Sequence, residues 1–485
     1  MRLSRLRASA FTMTGFLILA ITQVTPAEPG GRDIGSRLEL FVDNYLIGRL
    51  DGTRLTLQHP QPAEVALKFD RPWEGVAVGY VTVIKDTDRY RMYYRGMPDN
   101  NAPDLTDIES TCYAESRDGV AWTKPNLGLY EVQGTRDNNV ILAHSPPSSH
   151  NFSPFVDTRP GAPPVERYKA LALGKGGLLA FASADGIRWK KLQDSPVITR
   201  GEFDSQNVGF WSEMEGCYLC YFRTWRNNTR WISRTTSKDF LRWTDPVDMT
   251  FGDAPPEHLY TNQTHPYSRA PHIYIATAAR FMPGKRVLTD AQLRAAGIDL
   301  KSWLKDDCSE VVLLTSRGGS RYDRTFMEAF LRPGPDPRNW VSRTNYPALN
   351  VVQTGPLEMS LYVQRDNGQA THHLQRYTLR LDGFASVNAP YAGGEMVTKP
   401  FTFTGKELLL NYATSAAGGI RVEIQDESGK PISGRALSDC PEMAGDEIDR
   451  AVSWKGGSDV SPLAGKPVRL RFAMKDADLY SIRFR

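Results

Sequence analysis

Cysteine is scarce in this chain, with five residues among 485. They are scattered, at Cys112, Cys217, Cys220, Cys308 and Cys440. A fold held together by disulfides needs a denser set, so that class of protein is excluded. Cys217 and Cys220 are three positions apart in a predicted strand, which directs them to opposite faces and argues against a shared metal ion. We expect all five to be buried or free thiols.

Clear metal or cofactor motifs are also missing. Asp306 and Asp307 are adjacent acids, but calcium takes six to eight oxygen ligands, and no further ligand motif accompanies the two. A structural or axial calcium ion therefore has no motif to support it. We predict no cofactor and no metal site.

Beyond the N-terminus the chain has no apolar run near the roughly 20 residues that a membrane-spanning helix needs. The first residues instead predict a signal peptide at 1–27. Arg2, Arg5 and Arg7 form a basic start, an apolar stretch runs over 11–21, and small residues at 25–27 suit a cleavage site. We expect a secreted or periplasmic protein that is not inserted in a membrane after signal cleavage.

The chain has no large excess of charge of one sign. Its formal net charge is +4, and the predicted leader carries three arginines and no acid, which leaves +1 for the remainder. This balance gives no electrostatic case for a nucleic-acid partner. A basic face for an anionic substrate has no specific support in the sequence either. We expect a monomer.

What the chain does have is a repeated hairpin. The clearest copies are 116–122 and 183–189, where Ser-x-Asp-Gly is followed by Trp, and weaker copies lie at 237–243, 316–322 and 380–384. The intervals between copies range from 54 to 79 residues. A β-hairpin that recurs at this period is typical of a β-propeller with one copy per blade. Asp118, Asp185 and Asp382 are interpreted as turn residues rather than site residues.

Five copies predict an all-β fold, a five-bladed β-propeller followed by a C-terminal β-sandwich. Residues 28–70 are predicted as N-terminal strands that pack on the propeller, 71–392 as the propeller and 393–485 as the sandwich. One helical signal, 289–304, begins with a Thr cap and is interpreted as an insertion in blade four.

In a propeller the starts of the innermost strands face one another across the central axis. The residues before each predicted inner strand are therefore the candidate site, and all five entries are polar or acidic. Four candidate catalytic acids precede these strands: Glu74, Asp204, Glu257 and Glu358. The candidate substrate-binding residues are Trp73, His150, Asn151, Gln206, Asn207, Tyr260, Asn262, His265, Arg269 and Arg317.

Converging carboxylates, amides and aromatic rings are typical of a sugar-binding pocket. Hydrolysis of a glycosidic bond uses two carboxyl groups, about 5–5.5 Å apart in retaining enzymes and about 6.5–9.5 Å apart in inverting ones. Crowding of acids raises the pKa of one of them, which supplies the proton donor. We expect a carbohydrate substrate.

Residues 71–388 resemble the five-bladed glycoside hydrolases, the superfamily of invertases, levansucrases and arabinanases (families 32, 43 and 68). The resemblance implies a base or nucleophile in blade one, an orienting Asp in blade two and a proton-donating Glu in blade three. Here Glu74 stands where an Asp is usual, Asn151 where the orienting Asp would be, and Asp204 where a Glu is expected. The Asn-Asp-Pro-Asn run of family 32 is absent, so the chain resembles a divergent member.

The leading hypothesis is an exported glycoside hydrolase that cleaves an oligo- or polysaccharide with a carboxylate pair in the propeller funnel. One alternative is a non-catalytic carbohydrate-binding propeller, which Asn151 favours slightly. Another is a polysaccharide lyase in which His150 or Tyr260 acts as the base.

Overall fold

The structure is a computed structural model that describes residues 31–98 and 108–485. The predicted signal peptide lies outside the described residues. Among the described residues, five separate four-stranded antiparallel sheets form the central part of the molecule. This pairing confirms the all-β class and the five-bladed propeller.

Each blade runs from an inner strand outwards, and neighbouring strands within it pair antiparallel. Blade one comprises β6 (Gly79–Lys85), β7 (Tyr90–Gly96), β8 (Ser110–Ser116) and β9 (Val140–Leu142); blade two comprises β10 (Ser153–Val156), β11 (Tyr168–Gly174), β12 (Gly177–Ser183) and β13 (Lys190–Lys191); blade three comprises β14 (Val208–Ser212), β15 (Cys217–Arg226), β16 (Thr229–Ser237) and β17 (Val247–Asp248). Blade four comprises β18 (Leu259–Thr261), β19 (Thr264–Tyr267), β20 (Ala270–Met282) and β21 (Cys308–Ser316), and blade five contains β22 (Val352–Gln353), β23 (Glu358–Arg365) and β24 (His373–Arg380).

The first three copies of the repeated hairpin are turn chemistry, as predicted, whereas the carboxylate of Asp382 in the fifth copy is buried and accepts from Tyr267 Oη and Arg269 Nε instead. In the first copy the Asp118 carboxylate accepts from the backbone N–H groups of Val120 and Ala121, and Trp122 Nε1 donates back to the Gly119 carbonyl. The same bonds recur in the second and third copies. Gly119 has a φ of 76°, a conformation that glycine adopts without strain.

The outermost strand of blade five comes from the N-terminal part of the chain. It is β5 (Gln61–Lys68), which pairs antiparallel with β24. The sequence had placed this segment among the N-terminal strands outside the propeller. Because β5 precedes blade one in the chain, its pairing in blade five joins the two ends of the ring.

The remaining N-terminal strands join the C-terminal unit by hydrogen bonds. They are β1 (Arg32–Gly35), β2 (Glu39–Leu40), β3 (Ile47–Asp51) and β4 (Arg54–Leu57). They pair with C-terminal strands, and Leu38, Leu40 and Leu57 at the same time pack in one core with Tyr267 and Leu361 of the propeller. The segment therefore ties the two units together.

The C-terminal strands are β25 (Ala385–Ala389), β26 (Gly394–Thr398), β27 (Phe401–Phe403), β28 (Leu408–Asp426), β29 (Asp446–Ala451) and β30 (Val468–Phe484). With β1–β4 they form one connected ten-stranded sheet, in which β28 and β30 pair over most of their length. Leu470, Phe472 and Phe484 lie in its core and are fully buried. The C-terminal unit is thus all-β.

The predicted helical insertion is present in blade four. Helix α1 (Asp290–Ala295) begins after Thr289, which forms a capping box with Gln292. Short 3₁₀ turns lie at Pro164–Glu166, Trp303–Asp306, Pro337–Asn339, Leu437–Asp439 and Ser461–Leu463. Within 31–98 and 108–485, no helix has the length and apolar character to cross a membrane.

Candidate active site

The face of the propeller at which the inner strands begin carries a cluster of titratable and aromatic side chains. Because antiparallel strands alternate in direction, the ends of the second strands and the starts of the third strands lie on this face too. We call the following residues the mouth cluster: Tyr80, Arg95 and Glu109 of blade one, His150 before blade two, Asp204, Arg223 and Arg230 of blade three, Tyr260 of blade four, and Arg343 before the inner strand of blade five.

The centre of the mouth cluster is a chain of three ionisable groups. His150 Nδ1 lies 2.9 Å from the Glu109 carboxylate, and its Nε2 lies 3.0 Å from Asp204 Oδ1. An ionised carboxylate can only accept, so with both acids ionised both ring nitrogens donate and the imidazole carries two protons. Glu109 is buried behind the ring, whereas Asp204 faces solvent. This order resembles an oriented proton carrier with one exposed partner.

Asp204 is the exposed acid of the cluster, with 66% of its side chain accessible. The hydrogen bond from His150 holds the pKa of Asp204 well below its usual range, and the charges of His150 and Arg223 act in the same direction. Arg223 Nη2 lies 3.5 Å from Oδ2. A carboxyl group held in its ionised form can act as a base or nucleophile but is a poor proton donor.

Two amides that were predicted to bind substrate instead fix the loop that carries Asp204. Asn151 Nδ2 donates to the carbonyls of Phe203 (2.6 Å) and Ser205 (2.7 Å), and Asn207 Nδ2 donates to the same two carbonyls at 3.0 and 2.9 Å. Both side chains are fully buried. They pin the backbone on either side of Asp204 and are positioning residues.

Tyr80 lies beside this chain of groups and was not predicted. Its ring packs edge-on against His150 at 5.5 Å, and the Arg95 guanidinium lies 4.9 Å from its centroid. Burial raises the pKa of the Tyr80 phenol, and Tyr260 and Asp204 raise it further. Tyr80 has a φ of 52° and Arg343 one of 57°. Such conformations cost non-glycine residues about 1–3 kcal/mol and are concentrated at functional sites.

Tyr260, predicted as a stacking platform, is covered by arginines. The guanidinium groups of Arg223, Arg230 and Arg343 lie 5.3, 5.1 and 5.9 Å from its ring centroid. Its ring also packs against Tyr346 at 5.1 Å. Tyr260 therefore holds three cations in place rather than presenting a free face to a sugar.

Two exposed tryptophans flank these arginines. Trp225 is 39% exposed and lies 4.8 Å from the Arg230 guanidinium, and Trp303 is 48% exposed and lies 4.5 Å from that of Arg343. Trp303 belongs to the insertion in blade four. Exposed indole faces beside charged groups are suitable platforms for a sugar ring, and neither was among the predicted residues.

The predicted residue Gln206 does not face the mouth but closes the axis. Its Nε2 donates to Thr82 Oγ1 at 2.9 Å, and its Oε1 accepts from Gln263 Nε2 at 2.7 Å. Gln263 also donates to the Pro347 carbonyl. This buried network joins blades one, three, four and five. Asn262 is likewise buried, and its side chain accepts from the Thr264 N–H.

Glu74 and Trp73 lie in the core of blade one. The Glu74 carboxylate accepts from Tyr94 Oη (2.7 Å), Lys124 Nζ (2.8 Å) and the Arg71 N–H (2.9 Å), and it is fully buried. Trp73 Nε1 donates to Asn139 Oδ1. Neither residue lies in the mouth cluster, because the polar groups of both side chains bond to other residues inside blade one.

The other two predicted acids also lie outside the mouth cluster. Glu257 is bound by Arg280 (2.6 Å) and by Arg324. Glu358 is bound by Arg376 and opens β23, the second strand of blade five. The inner strand of blade five comes before β23 in the chain. It follows Leu349, which pairs with Thr82 on the inner strand of blade one. The start of a second strand lies on the opposite face of the propeller, so Glu358 cannot meet Asp204.

Arg269 and Arg317 join structural units rather than bind in the funnel. Arg269 Nε donates to Asp382 at 2.9 Å. Arg317 forms ion pairs with Glu39 (2.8 Å) and Asp43 (2.7 Å) of the N-terminal segment. Both arginines therefore tie the propeller to strands outside it or to its final hairpin.

His265 is buried at the axis as a neutral imidazole. Its Nδ1 lies 2.9 Å from the Gln263 carbonyl and donates to it, so Nε2 is left to accept from the Val351 N–H at 3.1 Å. Burial lowers the pKa of His265 to about 4. The residue has no free nitrogen for a substrate.

We expect His265 to make the protein less stable as the pH falls from about 6.5 to 4. In this window the unfolded chain binds a proton that the folded chain excludes, which costs roughly 3 kcal/mol at the lower end. His372, which burial also keeps neutral with a pKa of about 3, acts in the same direction. The midpoint of thermal unfolding measured against pH should therefore fall less steeply in His265→Gln than in the wild type. An equal slope in both proteins would contradict this assignment.

A separate cavity of about 410 Å³ lies at the other end of the axis, where the inner strands finish. Phe155, Phe210 and Tyr267 are among its lining residues. The chain of ionisable groups lies at the mouth, and we therefore place the candidate site there. Within the described ranges, no three His, Cys, Asp or Glu side chains are grouped to hold a metal ion.

Comparisons with known proteins give only distant similarities. No family model and no curated protein sequence matches the chain. Similar solved structures include an N-acetylgalactosamine deacetylase from F. plautii in complex with blood group B trisaccharide (13% identity, 68% of this chain and 96% of that one, TM-score 0.44). They also include a family 43 arabinoxylan arabinofuranohydrolase from Bacillus subtilis (11%, 85% and 96%, 0.39) and an endo-arabinase from Bacteroides thetaiotaomicron (11%, 65% and 98%, 0.38).

The strand pairing of the chain itself therefore defines a five-bladed β-propeller, the fold that the repeated hairpin predicted.

Proposed function

We propose that the protein is an exported enzyme that cleaves glycosidic bonds of an oligo- or polysaccharide, and that the mouth cluster is its active site. The observation that carries this proposal is the Glu109–His150–Asp204 chain, which reaches solvent where the five inner strands converge. The exposed indoles of Trp225 and Trp303 support a sugar as the ligand. Export is supported by the basic and apolar leader at 1–27.

For hydrolysis, Asp204 takes the proton of the attacking water or attacks the anomeric carbon itself. The imidazolium of His150, oriented by Glu109, gives its proton to the leaving oxygen as the bond between that oxygen and the anomeric carbon breaks. Water supplies the hydroxyl that remains on the anomeric carbon. The carboxylate pair predicted from the sequence is thereby replaced by one carboxylate and one imidazolium.

Elimination is a second candidate, favoured by the 3.0 Å contact between His150 and Asp204. Hydrolytic carboxyl pairs flank the scissile bond at about 5 Å or more, so hydrolysis requires the exposed Asp204 side chain to swing away from His150. In elimination, a base removes the proton next to a carboxylate and the neighbouring group protonates the leaving oxygen, both from one side of the ring. The product then contains a new carbon–carbon double bond.

A panel of neutral and acidic polysaccharides tests both candidates. We expect new reducing ends from at least one glycan, measured together with ultraviolet absorbance of the product. Reducing ends without absorbance assign hydrolysis, and reducing ends with absorbance assign elimination. Binding of a glycan without any cleavage across the panel would contradict the proposed enzyme and identify a carbohydrate-binding propeller.

A further inference from the structure

Four arginines of the mouth cluster converge on one region, and carboxylates within the described residues pair with only two of them. Arg223 contacts Asp204 at 3.5 Å, and Arg95 lies 3.8 Å from Glu109. For Arg230 and Arg343, no ion pair within 4 Å is found among the described residues. Among the described residues of the mouth cluster, arginines therefore outnumber carboxylates.

Three other arginines of the propeller form ion pairs with carboxylates. Arg280 is paired with Glu257 and Glu310, Arg317 with Glu39 and Asp43, and Arg376 with Glu64 and Glu358. Each of these three arginines has two carboxylate partners, whereas Arg230 and Arg343 have none within 4 Å among the described residues.

The guanidinium groups at the mouth are partly withdrawn from water without full compensation. Arg223 is only 7% exposed, and its Nε has no hydrogen-bond partner among the described residues. The same holds for the Nε atoms of Arg95 and Arg230. Burial lowers the pKa of Arg230, as expected for a cation that loses water and gains little in return. Leaving such donors unsatisfied costs free energy that a bound anion would recover.

The arginines are also held in place before any ligand arrives. The ring of Tyr260 contacts three of them, Trp225 packs on Arg230, and Trp303 packs on Arg343. Planar guanidinium groups fixed in this way match the oxygen pairs of carboxylates and sulfate esters. His258 also lies beside Arg230, and burial and the Arg230 charge lower its pKa.

We infer that the funnel mouth binds an anionic substituent of the sugar, a carboxylate or a sulfate ester, through Arg223, Arg230 and Arg343. The inference rests on the proposed function in that it names the substrate class of the same site. Asp204 occupies one side of Arg223, so the anion lies toward Arg230 and Arg343, between the two exposed tryptophans. A reacting sugar next to the bound anion then meets Asp204 and His150.

Binding of monosaccharides tests this inference without any cleavage, because they contain no glycosidic bond. The probes are glucuronate, galacturonate and glucose 6-sulfate, with glucose and galactose as neutral counterparts, and Kd is measured by calorimetry. We expect at least one anionic probe to bind about tenfold or more tightly than its neutral counterpart, as for hydrogen bonds to charged groups. Preference for the uronates or for the sulfate identifies which anion the site takes.

Arg230→Gln and Arg343→Gln should each weaken the anionic probe about tenfold or more and leave the thermal unfolding midpoint close to that of the wild type. Arg242→Gln is the matched control, because its side chain is 92% exposed and lies on the hairpin of blade three. Added salt should weaken the wild type more than the two mouth variants.

Equal binding of charged and neutral probes, no binding of any anionic probe, or an equal loss in Arg242→Gln would overturn the inference. These outcomes are separable from failure of the proposed function. If a neutral glycan is cleaved and no anion binds, the proposed enzyme activity holds and the anionic substrate is wrong. If a uronate or sulfate binds through the arginines and no glycan is cleaved, the anion site holds and the proposed enzyme activity is wrong.

Discussion

Asp204→Asn should lower kcat by about 10²–10⁴-fold on any glycan that the protein cleaves, which is the usual contribution of a positioned base. The amide keeps the size of the side chain but cannot take a proton or attack carbon. The fold should be unaffected, because 66% of the Asp204 side chain is in solvent and its loop is pinned by Asn151 and Asn207. The measurement is turnover by reducing-end release, with circular dichroism and thermal unfolding in parallel.

Asp245→Asn is the control for this prediction. Asp245 is also an exposed aspartate in an ion pair with arginine, Arg200 at 2.8 Å, but it lies outside the mouth cluster. We expect its turnover to match the wild type. Wild-type turnover in Asp204→Asn, or an equal loss in Asp245→Asn, would remove Asp204 from the chemistry.

Glu74→Gln should destabilise the fold by about 3 kcal/mol, the lower end of the cost of breaking a buried ion pair, because Lys124 keeps a second contact with the exposed Asp70 at 3.0 Å. Glu74 is fully buried, and Lys124 Nζ lies 2.8 Å from it with its side chain 10% exposed. The amide would leave that ammonium group without its buried counter-charge and would weaken the acceptor for Tyr94 Oη. Thermal and denaturant midpoints measure the effect, and turnover per folded molecule should be unchanged.

The double variant Glu74→Gln/Lys124→Met tests the cause. Removing the second charge should restore part of the lost stability, because the unpaired ammonium is no longer buried. Glu358→Gln is a useful comparison, since that carboxylate is 40% exposed and its ion pair should matter less. A large loss of turnover in Glu74→Gln at full stability would show that Glu74 takes part in the reaction after all.

The propeller itself could be predicted from the sequence because its signal is local. The Ser-x-Asp hairpin encodes its own turn, with the Asp118 carboxylate bonded to the next backbone N–H groups, and the same bonds recur in blades two and three. The capping box at Thr289 is equally local. Features whose hydrogen bonds close within a few residues are readable from sequence alone.

The position of the acids was less predictable. Glu74, Glu257 and Glu358 each precede a strand, yet their partners Lys124, Arg324 and Arg376 are 18 to 67 residues away along the chain. Whether a carboxylate faces solvent or a cation depends on those distant partners. In blade five, Glu358 begins the second strand and not the inner one, so it lies on the opposite face of the propeller from Asp204.

The arginines of the mouth cluster could have been found with one further step. Arg95 and Arg223 lie near the ends of second strands, and Arg230 near the start of a third strand. Antiparallel pairing places these positions on the same face as the starts of the inner strands. The candidate residues came only from the starts of the inner strands, so they did not include these arginines.

The sequence by itself determined the β class, the number of blades and the face on which His150 and Asp204 lie, because strand period and turn chemistry are short-range. The tertiary structure decided which polar side chains form hydrogen bonds or ion pairs within the fold and which remain free to bind a ligand. Glu74 forms a buried ion pair with Lys124, and the amides of Asn151 and Asn207 hold the loop of Asp204. Arg230 and Arg343, which the structure leaves without a carboxylate among the described residues, remain for an anion. Such differences depend on burial and on contacts between blades, which no local pattern in the chain encodes.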